Sequence, residues 1–142
     1  MSRIEEIPPE KLTVEQKRIL DDVQRGRGRV PPPFKIWLHS PALATRIEAL
    51  GTYLVTQSSL SAKEVELATV VVARHWRANY VLTAHIKMGR EAGIPDAVLE
   101  AIKNDATPAL TDPRDKAIYE LARGFDQRID DLRSDGPKAL DH

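Results

Sequence analysis

Apolar residues recur along this chain at helical spacing, and no strand-rich segment interrupts them. Val14, Ile19, Leu20 and Val23 form one stripe behind Thr13, a favoured N-cap, and the glycine at 26 closes that helix. Ser40-Pro41 opens the next, because serine suits the N-cap and proline suits the first helical position. Leu43, Ile47, Leu50 and Leu54 then carry its stripe to about Thr56. Pro95-Asp96 begins a short helix through Ile102, and Thr111-Asp112-Pro113 begins the last, with Ile118, Leu121, Ala122, Phe125 and Ile129 on one face.

The middle of the chain is denser. Residues 61–77 and 79–92 predict two helices joined near Arg77-Ala78-Asn79 as an antiparallel hairpin. Ser61-Ala62-Lys63-Glu64 has the form of a capping box, with Glu64 as the carboxylate that reaches back to the N-cap. Val65, Leu67, Ala68, Val70, Val71, Val72 and Ala73 make the first of the pair apolar all round, which predicts burial in the domain or between subunits. Its valines would also suit a strand; the capping box and the lack of a second strand-like run favour helix. Gly93-Ile94-Pro95 ends the second, with glycine just past the helix. The expectation is an all-α bundle of about six helices in one domain over residues 1–142. Residues 1–12 form an irregular arm in this reading, and residues 134–142 a frayed tail.

Two segments between helices have alternative readings. Arg25 to Arg29 holds three arginines separated by glycines, as in arginine-glycine nucleic-acid segments, but arginines also suit a helix C-terminus followed by a loop. Val30-Pro31-Pro32-Pro33-Phe34 reads as a stiff extended segment, either a proline-rich ligand or a strap that lays Phe34 and Trp37 onto the protein.

Composition narrows the function. Twenty-one basic and 21 acidic residues give a net charge of zero, which offers no pull toward nucleic acid or an anionic membrane and does little to oppose self-association. There are no cysteines, so disulfides, thiolate metal sites and thiol redox chemistry are excluded. No apolar run reaches the ~20 residues of a membrane span, and the N-terminus lacks a secretory pattern, so a cytoplasmic protein is expected.

Against this background two side chains stand out. With Glu64 assigned to the capping box, Glu66 has no evident structural task, and it sits among valines on the stripe of Thr69, Val70 and Ala73. Burial of that kind raises a carboxyl pKa toward the range of a general acid or base. His85 lies on a stripe with Leu82, Ile86 and Gly89. The two could form a charge-assisted pair that carries chemistry, or a purely structural ion pair. Trp37, Trp76 and Tyr80 are candidates to line a small-molecule site, with core filling as the alternative. His39 precedes a cap, His75 ends a helix among arginines where solvation is expected, and no two His or His/Glu fall at metal-ligand spacing on one helix face, so no metal site is expected.

The stretch from Leu60 to Pro95 resembles the carboxymuconolactone decarboxylase family, which includes the alkylhydroperoxidase D (AhpD) proteins. LSAKEVELATVVVAR, ANYVLTAH and REAGIP carry the resemblance, and HSPALATRIEALGTYLVTQSSLS is similar to the segment that precedes them in the family. The resemblance implies an all-α AhpD-like bundle that assembles into homo-trimers or hexamers with sites near subunit contacts. It also implies that Glu66 and His85 match the family's glutamate and histidine. In the peroxidase branch two cysteines stand between them; those positions are Ala78 and Val81 here, so peroxide reduction by thiols is disfavoured. The decarboxylase branch needs no cysteine, and of its usual Tyr-Glu-Trp this chain keeps Tyr80 and has Val81 and Leu82. The implied activity is a cofactor-free lyase, with Glu66 and His85 as catalytic residues and a small carboxylated lactone or related acid as substrate. The alternative is a non-catalytic small-molecule-binding or assembly protein on the same fold.

Overall fold

The computed structural model describes residues 4–134, with side chains through residue 131; the rest of the expected tail lies outside the described residues. It is all-helical. A 3-10 turn, Pro9–Lys11, precedes α1 (Val14–Arg27), α2 (Pro32–Trp37), α3 (Pro41–Thr56), α4 (Ala62–His75), α5 (Asn79–Glu91), α6 (Asp96–Lys103) and α7 (Pro113–Ser134). The chain divides into two compact units, Met1–Ser59 and Leu60–His142.

In the first unit α1 starts at a capping box. Thr13 Oγ1 accepts from Gln16 N–H, the Gln16 side chain accepts from Thr13 N–H, and Gln16 Nε2 donates to the Leu38 carbonyl. The helix runs past Gly26 and ends at Gly28, which takes φ +69, a left-handed conformation that glycine adopts without a Cβ clash. Ile19, Val23, Phe34, Leu38 and Ala44 form the core. The extended reading of residues 30–34 is overturned. Pro32 and Pro33 occupy the first turn of α2, where the missing proline N–H costs nothing, and Phe34 is buried on that helix. This adds a seventh helix. The Arg27 guanidinium lies 5.0 Å from the Phe34 ring and fills the space left by Gly51, where a Cβ would stand 1.5 Å from Arg27 Nη2.

In the second unit α4 is the hub and packs against α5, α6 and α7. Leu67, Val70, Val71 and Ala73 of α4 join Leu82, Ile94, Val98, Leu99, Ile102 and Ala122 in one core. The helix is not buried all round, since Val72 is 37% exposed. The expected face of α7 is also corrected. Leu121 and Phe125 are exposed at 70% and 65%, whereas Asp115 and Asp126 are buried beside Ala122. The buried carboxylates are tolerated because each meets a donor from α4 or its C-cap: Lys63 Nζ reaches Asp115 and Trp76 Nε1 reaches Asp126.

The start of α4 is clamped. Ser61 and Glu64 form the reciprocal capping box, and Arg114 Nε donates to Glu64 Oε1 at 2.6 Å. Arg114 first, then the Ser61 backbone N–H and hydroxyl, lower the Glu64 pKa from 4.5 to about 2. A carboxylate whose pKa is depressed on folding stabilises the fold above its unfolded value and loses that contribution as pH falls through the folded value. Urea unfolding across pH should therefore show stability declining between about 4.5 and about 2. Glu64→Gln should flatten that decline, and an unchanged acid profile in the variant would contradict the clamp.

Candidate active site

Glu66 stands one turn beyond the capping box on α4, and His85 lies midway along α5. The helices meet through a tight turn in which Arg77 adopts φ 50 and the Ala78 N–H bonds the Ala73 carbonyl at 2.9 Å. A left-handed conformation costs an L-residue ~1–2 kcal/mol. The packing of α5 along α4 holds it in place. His85 Nδ1 and Glu66 Oε2 are then 2.7 Å apart, with side chains 28% and 15% exposed. A carboxylate only accepts, so Nδ1 carries the proton of this bond and Nε2 is the ring nitrogen left for another partner.

Gly89 seats α5 closely against Ile94 and Leu99. It lies one turn beyond His85 and is buried, and a Cβ built there would stand 3.1 Å from Ile94 Cδ1, 3.3 Å from Leu99 Cδ2 and 3.8 Å from Glu66 Cβ. The missing methyl lets α5 lie close to Ile94 and Leu99, whereas 3.8 Å to Glu66 is an ordinary contact distance.

An apolar groove of about 340 Å³ lies on the same hairpin, and neither Glu66 nor His85 is among its lining residues. Ala68, Thr69 and Val72 of α4, Trp76 at its C-cap, and Ala78 and Val81 across the turn form its walls. Thr69 follows Glu66 by three residues and Val81 precedes His85 by four, so on each helix the wall continues the face that carries the acid or the imidazole. The two positions that hold cysteine in the peroxidase branch, 78 and 81, thus belong to this groove as alanine and valine.

The aromatic candidates separate. Trp76 lines the groove, and Asp126 Oδ1 accepts its indole N–H at 3.1 Å. Tyr80 is 58% exposed and stands outside the groove lining. Trp37 belongs to the first unit, where its ring meets Phe34 edge-on at 4.9 Å. Expected to be solvated, His75 instead pairs with Asp130 Oδ2 at 3.0 Å, and His39 Nε2 donates to the Glu5 carbonyl. Among the described residues no group of three or more metal-ligating side chains is assembled, and no helix is long and apolar enough to cross a membrane. Sequence reasoning passed over Val72 as a groove wall and Asp126 as the partner of Trp76. The first was legible from its i+3 spacing after Thr69; the second carried no local signal.

The site is thus a helical hairpin of an all-α protein that carries a Glu–His pair and, one turn away on the same two helices, an apolar groove. The chain belongs to the carboxymuconolactone decarboxylase family, whose model matches residues 41–124. No curated protein and no solved structure matches the chain significantly.

Gly89→Val would force a branched side chain into the contact with Ile94, Leu99 and Glu66. Denaturant unfolding should show a loss of ~1–3 kcal/mol, the usual cost of overpacking. Undiminished stability would mean that the close approach at Gly89 is not what seats α5.

Proposed function

We propose that this protein is a cofactor-free carboxy-lyase acting on a small carboxylated lactone or related conjugated acid. The observation that carries the reading is the 2.7 Å Glu66–His85 pair, on the two helices that also line an apolar groove, in a chain of the carboxymuconolactone decarboxylase family. The apolar walls hold the substrate's ring. The C–CO₂⁻ bond breaks, CO₂ leaves, and the electron pair passes into the conjugated carbonyl as a dienolate. Protonated His85 faces that charge through Nε2–H, stabilises it, and returns a proton to carbon. Glu66 fixes the ring orientation and holds the imidazolium through Nδ1; solvent then reprotonates the histidine. The net change is one proton taken up and one CO₂ released.

The thiol route of the peroxidase branch is disfavoured, since there is no cysteine at 78, at 81 or elsewhere. A second reading, binding without turnover, draws on Val81 and Leu82, which stand where the decarboxylase branch places an acid and a tryptophan. Val81 is a groove wall and Leu82 is in the core. The groove is therefore less polar than that branch's pattern implies. Assembly into a homo-oligomer in the cytoplasm belongs to the same proposal and agrees with the exposed Leu121 and Phe125 on α7.

The test is CO₂ release from a panel of carboxylated lactones, with thermal shifts recorded in parallel. On a turned-over substrate, His85→Ala and Glu66→Gln should each lower turnover by about 10²–10⁴-fold, the worth of a placed acid–base group, while circular dichroism stays native. Full activity in either variant would remove that residue from the mechanism. Thermal shifts without CO₂ from any member would favour the binder.

A further inference from the structure

A second cleft, of about 310 Å³, opens between α4, α6 and α7 and shares no lining residue with the apolar groove. Its volume lies at the small end of ligand sites, which run ~300–1,000 Å³. Its chemistry differs from that of the groove. Arg74 and Arg123 bring positive charge, Asp126 and Asp105 negative charge, and Val71 and Ile102 an apolar floor.

Two polar atoms in this lining have no hydrogen-bond partner among the described residues. Asp126 is 2% exposed; its Oδ1 accepts from Trp76, and its Oδ2 is buried without a hydrogen bond. Arg74 Nε is likewise buried and unpartnered, and its Nη2 meets Asp105 Oδ2 at 3.8 Å, beyond hydrogen-bond reach. Buried polar groups are nearly always satisfied, and one left bare is costly. Here an acceptor and a donor are left bare in one small cleft. The α4–α7 packing, which seats Trp76 against Asp126, does not use either atom.

We propose that this cleft is a second binding site, for a compact zwitterion of the α-amino-acid class with an apolar side chain. The ammonium group is taken by Asp126 Oδ2, while Oδ1 keeps the Trp76 indole N–H. The carboxylate is taken by the Arg74 guanidinium, with Arg123 adding positive charge. The side chain lies over Val71 and Ile102. A ligand with only one charged end leaves either the aspartate oxygen or the guanidinium without its charge-assisted bond.

The experiment is calorimetric titration of the full chain with L-leucine, isopentylamine and isocaproate; the last two lack the carboxylate and the ammonium respectively. L-leucine should bind one to one, and each analogue should bind about tenfold more weakly or worse, one lost charge-assisted bond being worth at least that factor. Asp126→Asn keeps an oxygen for Trp76 and replaces the ligand-facing oxygen with an amide nitrogen. It should weaken L-leucine about tenfold or more, as should Arg74→Gln, which carries the test if the Asp126 variant does not fold. The proposal is overturned if L-leucine does not bind, if the analogues bind equally well, or if both folded variants keep wild-type affinity. It is also overturned if Val81→Trp, which fills the other groove, abolishes binding while Asp126→Asn preserves it.

Discussion

The packing of α5 along α4 governs the geometry of the second unit. A hairpin of two apolar helices satisfies its backbone internally and buries its stripe, but side-chain bulk at the contact sets how near the axes come. At Gly89 that bulk is absent toward Ile94 and Leu99, where a Cβ would stand at 3.1 and 3.3 Å, while Glu66 Cβ at 3.8 Å is in ordinary contact range. The α4–α5 packing, with the tight turn at Arg77, brings the carboxylate and the imidazole to 2.7 Å. The Ser61–Glu64–Arg114 clamp fixes the other end of the arrangement by tying the start of α4 to α7.

The pair and the groove divide the chemical labour of the proposed reaction. Apolar walls contribute binding area and lower the local dielectric, which strengthens any charge interaction made inside. The pair contributes a polarised proton. With alanine and valine at 78 and 81, the hairpin offers no thiol, and the proposed reaction rests on proton handling by the pair. Whether such a site turns over a substrate depends on what stabilises the developing enolate, and the single imidazole at Nε2 is the donor proposed here.

Local signals in the sequence were read well where local physics decides the outcome. The capping boxes at Thr13 and Ser61, the glycine ending α5 and the helical stripes all act within a few residues, and they mark the starts and ends of the helices. Glu66 could be singled out because Glu64 already had a task. Two things were not legible. The prolines before Phe34 suit an extended segment as well as a first helical turn, and only the burial of Phe34 in the first unit's core selects the helix. The face of α7 was misjudged because Leu121 and Phe125 are the obvious apolar residues, yet the buried face includes Asp115 and Asp126. Their burial depends on Lys63 and Trp76, 52 and 50 positions earlier in the chain, and no window along the sequence reveals such partners.

The central claim is that Glu66 holds His85 by Nδ1 so that Nε2 faces a guest in the groove. A long-range proton–nitrogen NMR spectrum of His85, recorded with and without a saturating carboxylated lactone, tests it directly. The account predicts a downfield, exchange-protected Nδ1 proton in both spectra and an Nε2 resonance that moves when the lactone is added. An Nδ1 proton that exchanges freely, or an Nε2 signal indifferent to a ligand that demonstrably binds, would contradict it.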